Sequence, residues 1–156
     1  YELAYKLNEL GYAILTGGGD GIMRAANKGA FDSAKSPSVA LNVRLPFEQN
    51  TNPYVTAKYL FSNLSPRKFA LTDRSVAFVV FPGGFGTLDE LFEILVLAQV
   101  GSKKVKIFLF GSEFWQGLDE FIKNTLVSQK TIKKEDINLY KITDDLKLIV
   151  DEILAI

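Results

Sequence analysis

Histidine and cysteine are both absent from these 156 residues. Without histidine there is no imidazole general base, no Ser-His-Asp triad and no His-ligated zinc. Without cysteine there are no disulfides, thiolate metal sites or thiol nucleophiles. Catalysis is left to carboxylates, lysine, arginine, tyrosine, hydroxyls and backbone dipoles, so no metal or redox cofactor is expected. Net charge is missing as well: eighteen Lys and Arg balance eighteen Asp and Glu. No overall basic field points to nucleic acid or an anionic membrane, and neither is expected as a partner. No apolar run approaches the roughly 18 residues that suggest a membrane span. A signal-peptide pattern is also lacking, so a cytoplasmic location is expected.

What is present is a composition of 47% hydrophobic and 23% charged residues, enough to bury a core. No internal repeat or linker interrupts it, and residues 1–156 read as one nucleotide-binding α/β domain. The chain opens at Tyr1 already inside a helical pattern, and an N-terminal strand is expected upstream of it. Leu3, Leu7 and Leu10 have helical spacing, with Gly11 as the stop. Tyr12 to Thr16 reads as a short strand, Ile22 to about Lys35 as a helix and Ser38 to Val43 as a strand. A loop holding Pro46 and Pro53 follows, too punctuated to be regular. Ser65-Pro66 predicts a helix entry, with Ser65 as N-cap and Pro66 at the first helical position. Arg67 and Lys68 then fall in the first turn, where cations oppose the helix dipole and a nearby anion would relieve them. Val76 to Phe81 has the continuous β-branched and aromatic character of a central parallel strand. A helix from Thr87 to about Val100, a strand from Val105 to Phe110 and a helix from Phe114 to about Ser128 come next. A strand from Leu139 to Ile142 and a closing helix, capped by Thr143, complete the order. This alternation predicts an α/β, Rossmann-like, doubly wound and largely parallel sheet flanked by helices. Ligands of such sheets bind beyond the carboxyl ends of the strands.

Seven of the twelve glycines fall at two such ends: Gly17, Gly18, Gly19 and Gly21 in one loop, Gly83, Gly84 and Gly86 in the other. Each loop joins an apolar strand to a helix. Glycine lets a bulky anion approach the backbone, and a helix N-terminus adds unpaired N–H groups and a positive dipole end. The pair of loops therefore points to phosphate or nucleotide. Neither completes G-x-G-x-x-G, because the third positions hold Ile22 and Asp89. The P-loop pattern is absent too. After the second loop come Thr87-Leu88-Asp89-Glu90, placing two carboxylates in the expected first helical turn. They point about 100° apart, so one can address a sugar while the other faces elsewhere.

Pro82-Gly-Gly-Phe-Gly-Thr-Leu-Asp-Glu90 resembles the P-G-G-x-G-T-x-x-E motif of the LOG family, often labelled lysine decarboxylase-like. Arg67-Lys68 resembles the family's R-K pair, and Thr16-Gly-Gly-Gly-Asp-Gly-Ile-Met23 its first glycine loop. Ala26-Asn27-Lys28-Gly29-Ala30, Leu45-Pro-Phe-Glu-Gln49 and Asn52-Pro-Tyr54 resemble one bacterial subgroup. The resemblance implies hydrolysis of the N-glycosidic bond of a nucleoside 5′-monophosphate, giving free base and ribose 5-phosphate. It further implies Arg67 and Glu90 as the catalytic pair and Gly83, Gly84, Gly86 and Thr87 as phosphate ligands. By the same resemblance, Lys68 and Asp89 occupy positions that the family uses near the nucleotide. The subgroup usually carries Pro and Glu where this chain has Asp20 and Arg24, which puts an extra anion and cation at the first loop. A Schiff-base lysine for decarboxylation has no supporting signature.

Two further expectations concern packing. The helix after the second loop is apolar nearly all round, from Leu88 to Val100, and LOG-like proteins are homodimers through this region, so a homodimer is expected. A helix buried inside the monomer is the alternative. Trp115 reads as packing rather than a stacking platform, and Lys130, Lys133 and Lys134 as a solvated turn. The rival to an enzyme is a non-catalytic nucleotide or cofactor carrier on the same fold, similar to molybdenum-cofactor carrier proteins.

Overall fold

The computed structural model describes residues 1–44 and 50–156. The Leu45–Gln49 part of the subgroup resemblance, with Pro46, lies outside the described residues. The chain divides into two compact units, Tyr1–Arg74 and Ser75–Ile156. Both are parallel α/β layers, and the architecture is Rossmann-like.

In the first unit, α1 (Glu2–Glu9), β1 (Ile14–Thr16), α2 (Ile22–Ser33), β2 (Ser38–Val43), β3 (Ala57–Phe61) and α3 (Leu64–Asp73) follow in order. The sheet order is β1-β2-β3, with Thr16 opposite Ala40 and Val39 opposite Ala57. Leu3, Ala4 and Leu7 of α1 are buried, as is Ala30 on α2. Gly29 is the close-approach point between α1 and α2: a Cβ there would meet the Tyr1 carbonyl and lie 2.9 Å from Tyr5 N. Buried Asn8 ties the end of α1 to the turn before β2. Its Nδ2 donates to the Tyr12 and Ser36 carbonyls at 3.1 and 2.9 Å, and its Oδ1 accepts from Lys35 and Ser36 N–H, each at 3.1 Å. The α2 helix stops at Ala34, which sits in the left-handed region at φ 55°.

The second unit contains β4 (Ala77–Val80), α4 (Phe85–Gln99), β5 (Lys106–Phe110) and α5 (Ser112–Phe121). A π-helical turn over Ile122–Val127 extends α5, and a 3₁₀ turn over Lys134–Leu139 leads to β6 (Lys141–Thr143) and α6 (Leu146–Leu154). Its sheet order is β4-β5-β6, all parallel. Leu91 and Ile94 of α4, Ile107 and Leu109 of β5, and Trp115 of α5 form the core. Trp115 is packing as expected: it is buried, and its indole N–H donates to the Phe110 carbonyl at 3.0 Å. Buried aromatics of this kind find a partner for their polar atom. The lysine run forms a turn in which Lys130 adopts φ 58° and Lys133 N–H donates to Asp136 Oδ2 at 2.8 Å.

Four expectations are corrected. β3 forms where an irregular loop was expected; its residues are largely exposed, so they show no alternation of apolar and polar positions. The N-cap of α3 is Asn63 rather than Ser65, which puts Pro66 third in the helix and Arg67 and Lys68 fourth and fifth. α4 starts at Phe85, because the Gly84 carbonyl accepts from Leu88 N–H at 3.1 Å and closes a turn earlier than expected. Asp89 and Glu90 are thus fifth and sixth, in the second turn. α6 is capped by Asp145, whose carboxylate accepts from Lys147 and Leu148 N–H at 2.8 and 3.2 Å. Thr143 instead accepts from Asp145 N–H at 3.0 Å.

Candidate active site

The first glycine loop leaves the carboxyl end of β1 and enters α2. Gly17 runs beneath Arg67: a Cβ on Gly17 would lie 3.7 Å from Arg67 Nη1 and 3.0 Å from Met23 Sδ. The fourth residue of α3 thereby brings a permanently charged guanidinium to the loop backbone. Gly18 and Gly19 are buried. Gly18 needs to be glycine twice over, having φ +79° and a would-be Cβ 2.7 Å from Ala40 Cβ. Gly21, the N-cap of α2, has φ +68° and open space around it. The two departures from the subgroup pair with each other: Arg24 Nη1 lies 3.7 Å from Asp20 Oδ1, one helical turn apart, with both side chains at least half exposed. Such an exposed pair contributes little to stability, but it leaves the rim of the loop close to neutral. The Arg24 guanidinium also lies 5.5 Å over the Tyr54 ring.

In the second unit, the other glycine loop joins β4 to α4. Thr87 folds back over Gly83, where its hydroxyl occupies the space a Cβ would need. Gly84 and Gly86 face open space, with nothing within 4 Å of where a Cβ would stand. The N–H groups of the first α4 turn have no partner within the helix. Gly83, Gly84, Gly86 and Thr87 thus gather at one helix start, suited to an anion. Further along α4, Asp89 is exposed and Glu90 half-buried, so the two carboxylates face different surroundings. Lys68 is half-buried on α3.

At the carboxyl edge of the second sheet, Asp144 accepts from Ser112 N–H at 2.9 Å and from the Ser112 hydroxyl. These bonds, chiefly the hydroxyl's, hold the Asp144 carboxyl below its ordinary value of 3.8. Asp144, one residue past the end of β6, thus ties the start of α5 to that strand's end. Elsewhere in that unit, burial and the hydrogen bond to Asp119 push the Tyr140 hydroxyl up.

Residues not foreseen as functional hold the first loop in place. Asn27 and Ser38 are fully buried and Asn52 nearly so. They link to Thr16 and to the loop backbone through hydrogen bonds that span 11 to 33 residues of sequence. Asn27 and Asn52 stand out in the sequence only through resemblance; no periodicity marks a buried amide whose partners are remote.

The profile of the family described as "Possible lysine decarboxylase" matches residues 23–153, and the chain belongs to that family. Similar curated proteins carry a different activity in their names. The chain is 30% identical over 101 residues to rice (Oryza sativa subsp. japonica) "Probable cytokinin riboside 5'-monophosphate phosphoribohydrolase LOGL3", covering 64% of this chain and 48% of that protein. It is 30% identical over 109 residues to rice "Cytokinin riboside 5'-monophosphate phosphoribohydrolase LOG", covering 69% and 45%. It is 28% identical over 123 residues to LOG1 of Arabidopsis thaliana, of the same named activity, covering 78% and 58%. The chain spans about half the length of these relatives.

Proposed function

We propose that this chain is a hydrolase of the N-glycosidic bond of nucleoside 5′-monophosphates, releasing free base and ribose 5-phosphate. The observation that carries the proposal is the Arg67 guanidinium held over Gly17 at the carboxyl end of β1. A guanidinium beside a glycine loop suits an anionic ligand, since its fixed charge and N–H donors match a phosphate. The second glycine loop, with Thr87 and the α4 N-terminus, supplies a phosphate cradle. The relatives' names supply the reaction class.

Cleaving a ribosyl bond builds positive charge at the anomeric carbon, in an oxocarbenium-like transition state. Glu90 is assigned to stabilise that charge and to orient the attacking water, taking up its proton. Water forms the new C–O bond as the C–N bond breaks, and the bonding pair leaves with the base. Arg67 stays protonated and cannot be the base. It is assigned to the phosphate or to the negative charge on the departing base. Gly17, Gly18, Gly19, Gly21, Lys68 and Asp89 are assigned to the nucleotide, Gly18 and Gly19 through backbone shape. We also infer a cytoplasmic homodimer. Among the described residues, no helix is long and apolar enough to cross a membrane.

The test is incubation with AMP. Free adenine together with ribose 5-phosphate is expected. Tightly bound, unchanged nucleotide would make the chain a carrier instead.

A further inference from the structure

We propose that Thr16, Asn27 and Asn52 form a buried clamp that turns the carbonyls of the first glycine loop away from the ligand. They are positioning residues for its anionic end, an assignment that rests on the nucleotide-binding reading above. Asn27 is fully buried, and its amide is engaged on all sides. Its Oδ1 accepts from Thr16 Oγ1 at 2.6 Å and from Asn52 Nδ2 at 2.9 Å. Its Nδ2 donates to Ser38 Oγ at 3.0 Å and to the Val39 carbonyl at 3.4 Å. With donors and acceptors both committed, this amide has one orientation.

Two arms run from it to the loop. Thr16 Oγ1 accepts from Gly18 N–H at 2.9 Å. Asn52 donates its backbone N–H to the Gly18 carbonyl at 2.9 Å and its side-chain Nδ2 to the Gly19 carbonyl at 3.2 Å. Gly18 is therefore fixed at both its N–H and its carbonyl, and Gly19 at its carbonyl. A carbonyl dipole facing a phosphate repels it, so an anion-binding loop has to point its oxygens elsewhere. Asn52 takes up both oxygens, and Arg67 Nη1 stands 3.7 Å from where a Cβ on Gly17 would be. The Asn52 Oδ1 in turn accepts from Tyr54 N–H at 3.1 Å, which holds Asn52 itself.

Valine is close in shape to threonine but has no hydroxyl, so Thr16→Val removes one arm with little change in packing. Thr16→Ser keeps it. Asn52→Leu removes the side-chain part of the other arm, the bonds to the Gly19 carbonyl and to Asn27, and keeps the backbone bond to Gly18. In the hydrolase, Thr16→Val and Asn52→Leu are expected to raise KM for AMP about tenfold or more, with kcat changed less than about threefold. Thr16→Ser is expected to restore the wild-type KM. Amide exchange followed by NMR should show Gly18 protected in wild type and in Thr16→Ser, and exposed in Thr16→Val. A merely structural role would lower the melting temperature without dividing KM from kcat. An unchanged KM in a folded Thr16→Val variant overturns the clamp, whether or not Gly18 exchanges faster. Should Asn52→Leu fail to fold, the Thr16 pair decides alone. Wild-type protein that binds AMP without cleaving it ends the hydrolase reading and makes Kd by calorimetry the measure of the clamp. Wild-type protein that binds no AMP overturns both.

Discussion

Glu90 and Asp89 are neighbours in sequence, yet one is half-buried and the other exposed. The chemistry is assigned to Glu90, because partial burial strengthens its field on a developing cation. Glu90→Gln and Arg67→Ala are each expected to lower kcat on AMP by on the order of 10²- to 10⁴-fold, with an unchanged thermal midpoint. Wild-type turnover in both variants would remove the pair from the mechanism. Asp144 gives a test by pH. Its folded-state carboxyl is depressed by Ser112, so the interaction stabilises fully above the ordinary value of 3.8 and is lost as pH falls through the lower folded value. Ser112→Ala should therefore be less stable than wild type in urea at neutral pH, with the gap narrowing as pH falls below 3.8 and closing once Asp144 is protonated in the folded state. A gap that persists in acid would assign the effect to packing.

The starts of α3, α4 and α6 lie away from the positions that residue type suggests, each moved by a local hydrogen bond or a backbone geometry. For α6 the deciding bonds are those from Lys147 and Leu148 N–H to Asp145. Asp145→Ala should cost about 1 kcal/mol in urea denaturation, more than Thr143→Ala. The helices and the described strands other than β3 are legible because apolar runs and glycine stops mark them. β3 is not, since Lys58, Tyr59 and Leu60 are all exposed and an exposed edge strand leaves no burial pattern to read. The glycine loops and Arg67 are visible through composition and motif. Asn27, Ser38 and Asn52 are not visible as a network, because a buried polar cluster is defined by contacts between distant segments. On α4, Leu91 and Ile94 enter the core, while Phe85, Phe92, Val96 and Val100 recur at helical spacing on an exposed face. The helix is thus buried on one side only within its unit.

That exposed apolar face is the basis for expecting two copies in solution. Light scattering should give twice the 17.3 kDa chain mass, and Val96→Asp should reduce it toward one. A wild-type mass of one chain would dispose of the dimer. Stability at the level of the whole chain can also be raised without touching either glycine loop. Ala34, at the end of α2, and Lys130, after the π-helical turn, both hold left-handed backbone angles that a side chain disfavours by about 1–2 kcal/mol. Glycine escapes that penalty but loses roughly 0.5–1 kcal/mol of it to a freer unfolded chain. Ala34→Gly should therefore raise the melting temperature modestly and leave AMP kinetics unaltered. It would provide a sturdier background in which damaging substitutions at Thr16 or Asn52 could still be purified and assayed.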